Sequence, residues 1–242
     1  MLSIFGYKNS VNVIQGIYKK MFFKGLKMPN VYLVMQQIHA QLQKEQQQRQ
    51  YFYDIIDENK KKEFINGEII FHLPVKKRHN LATKMLDRVL SLYVDILDLG
   101  FVGIEKILIS LTRNDYEPDL VYFDRTKDLD LHPDQMRFPA PNFVAEVLSK
   151  STETIDRTVK MQDYAAHGIS EYWIIDPEKE TVEQYILNTN TQTYELQLKA
   201  TEGHIHSTAI EGFVIPIKAI FDKQVNLDTI NEIIKKNKEN KI

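Results

Sequence analysis

The sequence predicts one mixed α/β domain in which a central mixed sheet is flanked by helices. Three observations carry the prediction. The middle of the chain reads helix, strand, strand, strand, helix, strand, an order that layers helices on a sheet. Residues 78–97 place Leu81, Met85, Leu86, Val89, Leu90, Tyr93, Val94 and Leu97 at helical spacing. The runs "EPDLVYFD" (117–124), "PNFVAEVLSK" (141–150) and "EYWIID" (171–176) are nearly unbroken in apolar residues, as strands inside a covered sheet are.

Taken in order, residues 1–27 are basic and acid-poor: they hold five lysines, and the first acidic residue is Glu45. The stretch lacks the apolar core and small-residue cleavage site of a signal peptide and the arginines of a transit peptide. It reads as an upstream extension, with Met28 as an alternative first residue. Residues 29–60 are glutamine-rich, but spaced Ile38, Leu42, Tyr51, Ile55 and Ile56 favour a docked helix. In "KEFINGEIIFHL", Asn66-Gly67 between apolar runs predicts a hairpin with a type I′ turn. Gly100 is the expected stop of the helix over 78–97. Strands follow over 101–111 and 117–124, then a long polar loop over 125–141 and the strand containing Glu146. A helix is expected from about 155 to 167, ended by Gly168 in the left-handed conformation. The strand 171–176 leads to a hairpin around Asn188-Thr189-Asn190, then to a strand end and short helix over 213–222. The division expected is a leader and polar helical extension over 1–59, a domain over 60–222 and a charged, fraying tail over 223–242.

Composition narrows the function. The chain has 242 residues, 43% apolar, enough to bury a core without a metal or disulfide. It has no cysteine, which excludes disulfides, thiolate metal sites and cysteine nucleophiles and fits a reducing, cytoplasmic setting. No apolar run approaches the ~20 residues of a membrane span, so no membrane partner is expected. A net charge of −2 means that nucleic acid would have to be met by a local basic patch.

Glu146 interrupts an apolar strand, and so does Asp119 in "EPDLVYF". A carboxylate there must shift its pKa, find a cation or bind a metal. Strand alternation puts Asp119 with Val121 and Phe123 on one face, and Glu146 with Val144 and Leu148 on one face. If the strands are neighbours, one register sets the two acids side by side. A hard divalent cation relieves their repulsion, and two protein carboxylates are a normal count for magnesium. Lys160 lies one turn after Asp156 and one before Tyr164 on the following helix, a stripe that can point over the strand ends. Such a set suits phosphodiester hydrolysis. The bland alternative is that both acids are structural and Lys160 is a solvated helix lysine paired with Asp156 or Tyr164. Ser149 and Ser151 read as caps of the next helix.

The segments "EFINGEIIFH", "EPDLVYFD", "FVAEVLSKST" and "DRTVKMQDYAAHGISEYWIIDP" together resemble the putative restriction-endonuclease domain family of the PD-(D/E)XK nuclease superfamily, over roughly residues 60–222. The resemblance implies a restriction-endonuclease-like core with an added β-hairpin and an N-terminal helical extension. It also implies a Mg²⁺ (or Mn²⁺) cofactor and DNA as the substrate. By position, Asp119 is the first acid and Glu146 the second. The lysine usual two residues after the glutamate is Leu148 here; the family's lysine on the next helix corresponds to Lys160. Glu63 or Glu68 on the hairpin and His79 also match family positions, as a further metal ligand or a contact behind one. The function expected is a metal-dependent endonuclease in which Asp119 and Glu146 hold the metal and Lys160 is catalytic, orienting the water or stabilising the pentacovalent charge, with a two-fold homodimer consistent with cutting both strands. The alternative is a catalytically silent nucleic-acid- or protein-binding module that keeps the fold. A weaker third reading is a phosphodiesterase acting on RNA or a nucleotide.

Overall fold

Strand β8 (Phe143–Val147) is buried at every residue, and its alternating side chains feed two cores at once. Phe143, Ala145 and Val147 pack with Leu86, Leu90, Trp173 and Ile215 on one side. Val144, with Leu148 just beyond the strand, packs with Val121, Phe123, Tyr164 and Tyr172 on the other. That double burial explains why the run has so few polar residues.

A computed structural model of the chain describes residues 30–57 and 60–239. The expected leader over 1–27, and Met28, fall outside them. The chain divides into two compact units, residues 1–48 and 49–242. Helix α1 (Val31–Ile55) begins in the first and ends in the second, so the glutamine-rich run is helical.

In the second unit a six-stranded mixed sheet has the order β11-β10-β9-β8-β6-β3. Its other members are β3 (Gly100–Ile104), β6 (Leu120–Asp124), β9 (Glu171–Asp176), β10 (Thr181–Asn188) and β11 (Thr193–Ala200). β6 and β8 are antiparallel, whereas β8 and β9 are parallel and joined by a helical crossover. That crossover is continuous: α4 (Glu153–Ile155), a π-helical turn (Asp156–Lys160) and α5 (Met161–Ala166). Gly168 ends it at φ 74°, as the sequence predicts.

A smaller five-stranded sheet has the order β2-β1-β5-β4-β7. It contains the hairpin β1 (Lys62–Ile65) and β2 (Glu68–Phe71), with β4 (Leu108–Ser110), β5 (Asp115–Tyr116) and β7 (Arg137–Phe138). Asn66 and Gly67 both have positive φ, 53° and 87°, the requirement of a type I′ turn.

Several expectations need correction. The helix over 78–97 is α2 (Lys77–Leu97), and its left-handed cap is Asp98 at φ 53°, not Gly100. Gly100 instead permits a close approach: a Cβ there would lie 2.1 Å from the Phe123 carbonyl oxygen. The run 101–111 is two strands, β3 and β4, in different sheets, broken by Glu105 at φ 51°. The polar loop 125–141 holds a helical turn, α3 (Arg125–Asp128), and β7. A further two-stranded sheet pairs β12 (His204–His206) with β13 (Val214–Pro216), ahead of a 3₁₀ turn (Ile217–Ile220).

The expected fraying tail from residue 223 forms α6 (Lys223–Glu239). Asn226 on it is fully buried and donates to the Met85 and Ala219 carbonyl oxygens. Ile230 and Ile233 pack against the main core. The run looks like a tail because its outward face is almost all lysine, asparagine and glutamate. No helix among the described residues is long and apolar enough to cross a membrane.

Candidate active site

Leu120 pairs with Ala145, Val121 with Val144 and Tyr122 with Phe143. One step further along this antiparallel register, Asp119 stands opposite Glu146. Their faces match: Val121, Phe123, Val144 and Leu148 all belong to the core on the α5 side. Asp119 accepts the Val147 backbone N–H at Oδ2 over 2.8 Å, which ties the end of β6 to β8. The two acids lie at the base of a cleft of about 860 Å³.

Lys160 closes the set from the π-helical turn. Its Nζ lies 2.9 Å from Glu146 Oε1, 3.0 Å from Glu63 Oε1 and 3.1 Å from Asp156 Oδ1, and the residue is 1% exposed. Tyr164 donates its hydroxyl to the same Glu146 oxygen over 3.0 Å. The stripe Asp156–Lys160–Tyr164 therefore faces the strand ends. Among residues matched by the resemblance, the structure brings Asp119, Glu146, Lys160, Glu63 and His79 together. His79, in the first turn of α2, places Nε2 3.2 Å from Asp119 Oδ2. Glu68 is not brought in. It is exposed, and it pairs with Ile65 beside the turn, whereas Glu63 pairs with Ile70. Two residues along a strand put it about 7 Å farther out on the same face.

Two contacts were not anticipated, and a third, between Lys160 and Asp156, is the pairing that the bland reading of Lys160 gives. Lys61 Nζ lies 2.9 Å from Asp119 Oδ1. His72 Nε2 lies 2.9 Å from Glu63 Oε2. Asp156 is itself a partner of Lys160. A signal for the first two existed. Lys61 and Glu63 share a face by the strand period of two. The Asn66-Gly67 turn pins Lys62 opposite Phe71, so His72 falls opposite Lys61, diagonal to Glu63.

The electrostatics follow from burial and pairing. Burial opposes ionisation of Asp119, but Lys61 and then His79 hold its carboxyl well below the usual range. Burial likewise opposes ionisation of Glu63, and Lys160 with His72 bring it down. Glu146 goes the other way: burial raises it, and Lys160 offsets this only in part against the nearby Asp156 and Asp119. Lys160 stays protonated, since Asp156, Glu146 and Glu63 outweigh its own desolvation.

Four carboxylates, Glu63, Asp119, Glu146 and Asp156, thus surround two lysines, Lys61 and Lys160. Among the described residues no group of three or more His, Cys, Asp or Glu is arranged to hold a metal ion. A pair of carboxylates completed by water is nonetheless an ordinary magnesium donor set. The hard oxygens of Asp119 and Glu146 fit a divalent cation.

Comparison with known proteins bears on the family and the fold. A family model described as "Uma2: Putative restriction endonuclease" matches residues 46–218. An uncharacterized protein of Synechocystis sp., sll1609, is 33% identical over 128 residues, covering 52% of this chain and 71% of that protein. A crystal structure described as a putative nuclease belonging to DUF820, from Anabaena variabilis, superposes with a TM-score of 0.61 at 19% identity. The match covers 70% of this chain and 94% of that one, and it shows a shared fold. With residues 46–218 matched by the model, the chain belongs to the Uma2 family of restriction-endonuclease-like proteins.

Proposed function

We propose that this protein is a divalent-metal-dependent endonuclease that hydrolyses DNA phosphodiester bonds, with Asp119 and Glu146 holding Mg²⁺ or Mn²⁺. The observation that carries the reading is the placement of Asp119 opposite Glu146 at the base of an open cleft, with Lys160 2.9 Å from Glu146. When bound, a divalent cation supplies charge neutralisation at the phosphate and lowers the pKa of water. The chain's own residues do the rest. His79 and the Val147 N–H orient Asp119 through Oδ2. Lys160 and Tyr164 fix Glu146 through Oε1, so Lys160 acts as a positioning residue behind the carboxylate. Lys60, Lys76 and Lys150 line the cleft beside Glu105, Glu153, Asp176 and Glu178, and Arg78 pairs with Glu178 at 3.2 Å, so contacts to a phosphate backbone would fall to individual lysines rather than to a uniformly positive wall. Cutting both strands would call for two such sites, hence a two-fold dimer in solution.

One observation favours the second reading, a catalytically silent nucleic-acid- or protein-binding module. Lys160 is 1% exposed and engaged by three carboxylates, so its amino group is not free at the cleft surface.

The test is cleavage of a panel of plasmid, duplex and single-stranded oligonucleotides with Mg²⁺ or Mn²⁺. The wild type should cut. Glu146→Ala and Asp119→Ala, confirmed as folded by circular dichroism, should lose at least ~100-fold in rate. A wild type that cuts nothing and binds no Mn²⁺ would leave the silent module standing.

A further inference from the structure

We propose that Lys61 is the built-in counter-ion of the cation site: its ammonium holds the place of a divalent cation on Asp119, and cation binding and Lys61 release are a single exchange. The inference rests on the reading of Asp119 and Glu146 as the metal ligands.

Asp119 uses its two oxygens differently. Oδ2 is committed to the protein, with the Val147 N–H at 2.8 Å and His79 Nε2 at 3.2 Å. Oδ1 faces Lys61 Nζ at 2.9 Å. Any cation that takes Asp119 without breaking its tie to β8 therefore meets Lys61 first.

The two lysines are not equivalent. Lys160 is held by three carboxylates and is 1% exposed. Moving it would strand buried charge. The Lys61 side chain is 21% exposed and makes one ion pair, so it can swing to water at the modest cost of a part-exposed pair. Charge balance points the same way. With Lys61 in place, four carboxylates face two lysines. A divalent cation that displaces Lys61 replaces one positive charge by two beside the same acids.

The test is Mn²⁺ and Mg²⁺ affinity of the full chain, by calorimetry and, for Mn²⁺, by electron paramagnetic resonance, with no substrate present. Lys61→Met removes the charge and keeps the stem; Lys61→Gln is a second variant should the first fold poorly. Either should bind Mn²⁺ about tenfold more tightly than the wild type. Lys61→Arg, which keeps the charge, should stay within about threefold of it. Lys150→Met removes a positive charge from the same cleft without touching Asp119, and should tighten binding by less than about threefold. A cation bound by the Lys61 variants but not by the wild type would be the exchange in its strongest form. Unchanged affinity in Lys61→Met and Lys61→Gln, where the wild type binds, would overturn the exchange and leave the metal site intact. Equal tightening in Lys150→Met would also overturn it, as a general charge effect. If no protein in the series binds Mn²⁺, the metal reading falls and this inference with it.

Discussion

At Glu146 Oε1 two donors meet, the Lys160 ammonium and the Tyr164 hydroxyl. They contribute unequally. Tyr164→Phe removes one hydrogen bond and keeps the ring, which packs edge-on against Tyr116 and Tyr172. The expected cost is about 1 kcal/mol, read from the urea midpoint. Lys160→Met leaves Glu63, Glu146 and Asp156 crowded without their shared cation. The expected cost is about 3–5 kcal/mol in the same assay, partly recovered by millimolar Mn²⁺ if the cation takes over the charge. An equal, small effect of both substitutions would mean that Lys160 does not hold the acids. Asp119 and Glu146 were legible from the sequence because each is an acid inside an apolar run, where chance placement is costly. Lys61 is easily missed: the strand period sets it on the face of Glu63, but a lysine ahead of a short strand looks like any solvated lysine.

At the scale of the element, the π-helical turn carries two members of the buried cluster of four, Lys160 and Asp156, the other two being Glu63 and Glu146. It also carries Arg157, which grips Glu183 on β10 through two hydrogen bonds of 2.8 and 3.1 Å. Lys199 on β11 and the Tyr185 hydroxyl complete the grip. Burial opposes ionisation of Glu183, but Arg157, Tyr185 and Lys199 bring its pKa from 4.5 down to about 2. A folded-state pKa below the unfolded one adds stability that is present above about pH 4.5 and fades as pH falls toward 2. Glu183→Gln should therefore be destabilised by about 1–2 kcal/mol at pH 6, after discounting for solvent screening. The gap to the wild type should narrow steadily between pH 4.5 and 2.5 in urea titrations. A gap independent of pH would show that shape, not charge, holds the turn to the sheet. The helix itself was readable from its spacing. The π turn was not, because one extra residue in a turn leaves no mark in composition.

At the scale of the molecule, α6 covers the far side of the sheet from the site. Its buried Asn226 bonds the Met85 carbonyl of α2 and the Ala219 carbonyl of the 3₁₀ turn. Asn226→Ala leaves those carbonyls with one donor fewer and should cost about 2–3 kcal/mol. Ending the chain after Asp222 also uncovers the core that Ile230 and Ile233 pack against, and should lower the melting temperature by more than Asn226→Ala does. Both are read by thermal denaturation; a truncated chain as stable as the full one would restore the fraying tail expected from composition. A charged run with a few spaced apolar residues, Val225, Ile230 and Ile233 among them, is ambiguous until a partner surface exists.

The sequence by itself determined the mixed α/β class, the Asn66-Gly67 hairpin, the buried strands and the two acids that interrupt them. These are local matters: turn chemistry, side-chain period and the cost of a carboxylate among apolar neighbours each act within a few residues. Only the tertiary structure decided the register that sets Asp119 opposite Glu146, and the convergence of Glu63, Asp156 and Lys160 from a hairpin and a crossover helix. It alone put Lys61 rather than Lys160 on Asp119, and left Glu68 outside. Those outcomes depend on which strands become neighbours and how the crossover is wound. Contacts between residues dozens of positions apart decide them, after the local pattern has already been satisfied.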